Sequence, residues 1–263
     1  MLEKITAQGR IVFGVAMLVF GIENFVFGYR RTFVDGVPWF PRMPVLAYVA
    51  GAALLAAGIC IVANVKARLA AVGLSVWFLL ASFYYAMVHA AAIPTNVGLR
   101  TVVFETLTIA SSALMLAGIL RDNRGDDPGI LRALIASGPY LFAFSMVVFG
   151  VDHFPILRFI ASLIPTWIPA KMFWAVFTGA GFIAAGICIA LGWMDRWAGF
   201  FLGLMFMLWF FLLHLPRVLS AARMNNPNEW SSAFIALAIW GGAWICAARR
   251  NETVPSTLAP SPR

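Results

Sequence analysis

Eight uninterrupted apolar stretches constrain this chain more than any other feature: residues 10–28, 42–64, 69–92, 98–120, 131–152, 169–192, 197–218 and 229–248. A helix rises about 1.5 Å per residue, so a hydrocarbon core of roughly 30 Å takes about 20 apolar residues to cross. The stretches are continuous and lack the period-two alternation of a membrane barrel, so they are helices. Composition agrees: 62% of the 263 residues are hydrophobic and 11% charged, against about 25% charged in a soluble domain. The expected fold is all-α, a polytopic membrane protein of eight transmembrane helices arranged as two parallel four-helix repeats.

The first stretch follows Lys4 and Arg10, the pattern of a secretory signal. No small-residue cleavage site follows, and the same segment recurs in mid-chain where no signal could act, so a span is expected instead. The net charge of +8 does not indicate nucleic acid, because the cations flank the spans where they anchor to headgroups. With eight spans both termini share one face. That face collects Lys4, Arg10, Lys66, Arg68, Arg121, Arg124, Arg132, Arg196, Arg249, Arg250 and Arg263, against Arg30, Arg31, Arg42, Arg100, Arg158, Lys171, Arg217 and Arg223 on the other. The excess puts the termini in the cytoplasm of a bacterial cell, with the chain multi-pass in the inner membrane.

Sliding the chain against itself by about 129 residues aligns all four spans of each half. GRIVFGVAMLVFGIENF, from Gly9 to Phe25, matches GPYLFAFSMVVFGVDHF, from Gly138 to Phe154. AAGICI recurs at 56–61 and 184–189, Trp39 and Pro41 match Trp167 and Pro169, Arg68 matches Arg196, and Asn96 matches Asn226. The units are residues 1–120, a loop at 121–130, residues 131–248, and a hydrophilic tail at 249–263 whose prolines suit disorder. An even number of spans per copy makes the copies parallel, so equivalent residues lie at equal depth. Several matched features have structural explanations. Pro41 and Pro169 are expected at helix starts, where no amide donor is needed. Gly51 and Gly179 let neighbouring helices approach. In Asn226, Pro227, Asn228, Glu229 the spacing reads as an N-cap followed by first-turn proline and glutamate, so Glu229 is expected to cap rather than catalyse.

Ionisable groups inside spans are costly and therefore informative. Glu23 and Asn24 lie late in the first span, and Asp152 and His153 occupy the matching positions of the fifth. His89 follows Ser82 and Tyr85 along one edge of the third span, and His214 ends the apolar run of the seventh. Thr101, Glu105, Thr108 and Ser112 repeat at helical spacing on the fourth. Because odd spans run outward and even spans return, Glu23, His89, Glu105, Asp152, His153 and His214 are expected in one layer opposite the termini. This layer has two readings. Its members cap helix ends, snorkel and bond between spans, or they line a pocket for a quinone headgroup, a proton path or a metal, the last through His89, His153 and His214. No His-x-x-x-His or Glu-x-x-His pair lies on one helix. Cys60, Cys188 and Cys246 form no Cys-x-x-Cys and fall at inner ends, so they read as packing residues rather than a thiol relay. There is no phosphate-cradling glycine loop, nucleophile elbow or zinc-protease helix.

On these residues the chain resembles the DoxX-like family of four-span bacterial membrane proteins, in duplicated form. The resemblance covers residues 8–120 and 131–248. It rests on first spans ending in VFGIENF and VFGVDHF, on AAGICI, and on HLPRVLS followed by NPNEW; the first copy has HAAAIPTN in place of HLPRVLS. It implies association with respiratory and sulfur-oxidising membrane complexes, including a thiosulfate:quinone oxidoreductase, and with redox defence. The leading expectation is therefore an accessory or subunit of a membrane redox system. Its partners would be the lipid bilayer, redox-complex subunits or a small apolar ligand such as a quinone. The alternatives are a small-solute or proton-coupled transporter and a non-enzymatic assembly protein.

Overall fold

The computed structural model describes residues 2–27, 44–120, 127–220 and 226–249. The readings placed on Pro41, on Trp39 and on nearly all of the tail fall outside them. The helices are α1 (Leu2–Phe27), α2 (Pro44–Ala63), α3 (Ala67–Val88), α4 (Val97–Ile119), α5 (Gly129–His153), the short α6 (Leu157–Leu163), α7 (Lys171–Leu191), α8 (Asp195–Trp209), α9 (Leu215–Leu219) and α10 (Pro227–Ala248). A π-helical turn, Phe210–His214, joins α8 to α9, so these three make one span. Eight helical segments are long and apolar enough to cross a bilayer.

Element ends follow local chemistry. Asn96 and Asn226 cap α4 and α10, each accepting a first-turn amide at 3.0 Å, and Pro227 opens α10. The third span stops at Val88 rather than residue 92 because Pro94 biases Ile93 away from helix, and residues 89–95 close as turns. Pro169 lies two residues before α7, separated from it by Ala170 in the left-handed region at φ 53°, so it is not the first helical residue as expected. The tight links from α2 to α3 and from α7 to α8 share one backbone geometry. Asn64 (φ 58°) and Lys66 (φ 51°) correspond to Gly192 (φ 65°) and Met194 (φ 53°).

The helices form one closed ring in the order α1, α2, α3, α4, α5, α7, α8, α10 and back to α1, with α4 and α10 touching across its middle. About 67% of the apolar window of α4 and 72% of that of α10 is buried, against 33–44% in the other spans. The two halves are thus cross-closed: the first span of each packs on the fourth span of the other.

Matching close contacts hold this arrangement together. A Cβ on Gly21 would lie 2.9 Å from the Gly51 carbonyl, and one on Gly150 2.6 Å from that of Gly179, so α1 meets α2 as α5 meets α7. Gly9 abuts Gly241 and Trp244 on α10, while Gly138 abuts Ser111 and Leu114, their counterparts on α4. At the centre Gly242 faces Ser112, its own counterpart; a Cβ there would run into the Ser112 Oγ. The contacts of the two halves thus match across the α4–α10 crossing. Backbone approach through small residues is how helices associate where lipid removes the hydrophobic drive.

Gly241→Val should destabilise the detergent-solubilised protein by about 2 kcal/mol or more, since its Cβ would press on the Phe13 backbone nitrogen at 2.6 Å, and overpacking costs ~1–3 kcal/mol. Gly73→Val, which meets nothing within 4 Å, should leave thermal unfolding within about 0.5 kcal/mol of wild type, as surface changes do.

Candidate functional site: the seam ends opposite the termini

α1 and α5 run toward the face opposite the termini, and α4 and α10 begin there. A carboxylate late in α1 or α5 therefore comes level with the first turns of α10 or α4. Glu23 on α1 is 2% exposed and accepts a hydrogen bond from the Ser231 hydroxyl of α10 at 2.9 Å. Asp152 on α5 is 4% exposed and accepts from Arg100 of α4, whose Nε lies 2.9 and 2.8 Å from the two carboxylate oxygens. Arg100 also donates through Nη1 to the carbonyls of Ile93 and Pro94 at 2.9 and 3.1 Å, tying the α3–α4 connection into the same joint. Each half thus contributes a buried carboxylate to the fourth span of the other. The chemistry differs: a hydroxyl donor at Glu23, a guanidinium at Asp152.

Asn24 and His153 turn to a different face. Asn24 Nδ2 donates to the Phe20 carbonyl at 2.8 Å, and His153 Nδ1 bonds the corresponding Phe149 carbonyl at 2.8 Å. Behind them stand Gly51 and Gly179, where an added Cβ would come within 3.0 and 2.9 Å of the Asn24 and His153 Cβ atoms. The His153 ring sets its edge on Phe182. These side chains belong to the α1–α2 and α5–α7 seams, whereas Glu23 and Asp152 belong to α1–α10 and α5–α4.

Tyr85, buried on α3, packs its ring on His89 with centroids 4.4 Å apart, and Ser82 bonds the Val103 carbonyl of α4 at 2.9 Å. His89 caps the end of α3. Half-buried Glu105 shares a face of α4 with Thr101, Thr108 and Ser112. The hydroxyls of that stripe bond back to their own helix, at Val97 (2.9 Å), Phe104 (2.6 Å) and Thr108 (2.7 Å), which is how such side chains are satisfied in an apolar helix.

His214 closes the π-helical turn, one turn before Arg217. Arg217 forms a bidentate ion pair with Glu229, at 2.9 and 2.8 Å. The Glu229 carboxylate is thus engaged across the α9–α10 junction from the first turn of α10, behind the Asn226 cap that the sequence spacing indicates. Among the described residues no three His, Cys, Asp or Glu side chains gather to hold a metal ion, so His89, His153 and His214 are not brought together there. Arg100, Arg217 and Ser231 were missed as site residues. A signal exists for the arginines: each is a cation at the start or end of an apolar run, on the face opposite the termini, level with a carboxylate that needs a partner.

Residues 5–90 match the model of the DoxX family. That stretch is similar to a DoxX domain. It spans α1, α2 and α3 and includes Glu23, Asn24, Tyr85 and His89; α4, which completes the first half, and all of the second half lie beyond the match. No curated protein and no solved structure matches the chain.

Asp152→Ala should cost the folded protein about 3–5 kcal/mol, because it leaves the Arg100 guanidinium unpaired in a largely buried joint. Asp152→Leu combined with Arg100→Met should recover most of that loss in the same unfolding measurement, as removal of both partners is near neutral.

Proposed function

We propose that the protein is an accessory component of a membrane redox system in a bacterial inner membrane, with its termini in the cytoplasm and its outer polar layer receiving a quinone headgroup or a similar small apolar ligand. Two things support this reading: the stretch similar to a DoxX domain, and the burial of Glu23 beside the Ser231 hydroxyl at the outer end of the α1–α10 seam. That second observation carries the reading. A carboxylate buried beside a hydroxyl at the end of an apolar span is suited to exchanging a proton with a bound headgroup, and intramembrane carboxylates mark ligand and proton sites by default. Glu23 and Ser231 would hold the headgroup's polar edge, and the ligand would supply the redox chemistry. A quinone is preferred to a metal because the described histidines form no ligand set.

A proton-coupled transporter is the second reading, favoured by carboxylates on α1 and α5 at equal depth in the two halves. An assembly role without ligand is a third. Organic extraction of full-length protein purified without added ligand, followed by mass spectrometry, should find about one quinone per chain in wild type and several-fold less in Glu23→Gln. Absence of quinone, haem and stoichiometric metal from the wild-type extract would count against the redox reading. Liposome flux that disappears in Glu23→Gln would favour the transporter instead.

A further inference from the structure

Glu23 lies at unequal distances from the two faces of the membrane. It is one turn, about 6 Å of helix, from the end of α1 at Phe27, but thirteen residues, about 20 Å, from Arg10, the next ionisable side chain toward the termini. The hydroxyl bonded to it, that of Ser231, stands in the second turn of α10. That end of α10 meets solvent: Asn226 and Asn228 are exposed, and so is Ser232, next to Ser231.

Toward the termini, the described residues offer no relay for a proton. Residues 11–22 of α1, IVFGVAMLVFGI, carry no polar side chain, and Phe20, Met17 and Phe13 follow Glu23 down the helix fully buried. Of the helices packed on α1, α2 brings only Tyr48 and Cys60 as titratable groups, and α10 only Glu229, Cys246 and Arg249. Tyr48 stacks on Phe25, beyond Glu23, and Glu229 pairs with Arg217. Cys60, Cys246 and Arg249 lie at the termini ends of their helices. Across the ring, Tyr85, His89, Arg100 and Glu105 are at the same end as Glu23. The deeper hydroxyls of Thr108, Ser112 and Ser75 donate to carbonyls of their own helices, not to one another. Close backbones shut what remains: a Cβ on Gly9 would lie 3.0 Å from the Gly241 carbonyl, and one on Gly14 3.2 Å from the Val62 nitrogen, too near to admit water. A bare charge is heavily penalised in such a medium.

We infer that Glu23 exchanges its proton only with the aqueous phase opposite the termini, through the Ser231 hydroxyl and the first turns of α10, and is sealed from the termini face. The inference rests on the reading of Glu23 as a proton site and adds its direction: a headgroup held there gives up or takes up protons on one side of the membrane. It also parts that reading from the transporter, whose carboxylate must be reached from both faces in turn.

Acidifying one face at a time tests it. Full-length protein with Cys60, Cys188 and Cys246 replaced by alanine and carrying Lys4→Cys, at an exposed position, is reconstituted in lipid vesicles. Immobilised maleimide separates vesicles with the termini outward from those with the termini inward. Each population receives an external acid step while trapped buffer holds the lumen, and the infrared band of the protonated Glu23 carboxyl is followed. Glu23→Gln removes that band and Glu23→Asp moves it, so the assignment does not depend on one variant. With the termini inward the band should grow several-fold, and with the termini outward it should not change. A response with the termini outward, or none in either population, would overturn the inference. Quinone content is read separately. A response confined to the face opposite the termini, without co-purifying quinone, would leave the inference standing and the redox reading fallen; bound quinone with a response from the termini face would do the reverse.

Discussion

The reciprocal contact of each first span with the opposite fourth span is what the rest of the structure depends on. α1 lies on α10 through Gly9 and Gly241, and α5 lies on α4 through Gly138 and Ser111. In lipid nothing drives these helices together except packing and hydrogen bonds, so the seams form only where backbones come close. The α4–α10 crossing at Ser112 and Gly242 lies between the two halves, and the ring closes around it. Cross-closure also decides which side chains meet. Glu23 meets Ser231, and Asp152 meets Arg100, because each carboxylate ends a first span packed on the other half's fourth span.

Much of the fold was legible in the sequence. The eight spans follow from apolar run length, and the self-match by about 129 residues picked out features that recur in space: AAGICI within the α1–α2 and α5–α7 seams, and Asn96 and Asn226 as caps. What could not be read was which half each helix leans on. Periodicity marks an apolar face without naming its partner, and glycine permits close approach to any backbone that offers itself. The pairing of Arg100 with Asp152 and of Arg217 with Glu229 was hidden for the same reason, as both cross between helices.

The halves share a frame and differ in its polar furnishing. Where α5 and α4 are joined by an ion pair, α1 and α10 are joined through a hydroxyl. Where the first half runs straight through α3, the second widens at Phe210–His214 under the influence of Pro216 and places Arg217 on Glu229. Equivalent positions that keep glycine and asparagine serve packing and capping. Equivalent positions that exchange carboxylate, histidine, arginine and indole are those at which two copies of one unit could have taken separate roles.

The account's central claim is cross-closure, and disulfide trapping in a background with Cys60, Cys188 and Cys246 replaced by alanine tests it directly. A Cβ on Gly9 would lie 3.1 Å from that of Trp244, and one on Gly138 would lie 3.1 Å from that of Leu114, close enough for a disulfide after small adjustment. Full-length protein in native membranes should therefore crosslink as Gly9→Cys with Trp244→Cys, and as Gly138→Cys with Leu114→Cys. Halves that closed on themselves would instead crosslink Gly9→Cys with Leu114→Cys and Gly138→Cys with Trp244→Cys, and that result would contradict the account.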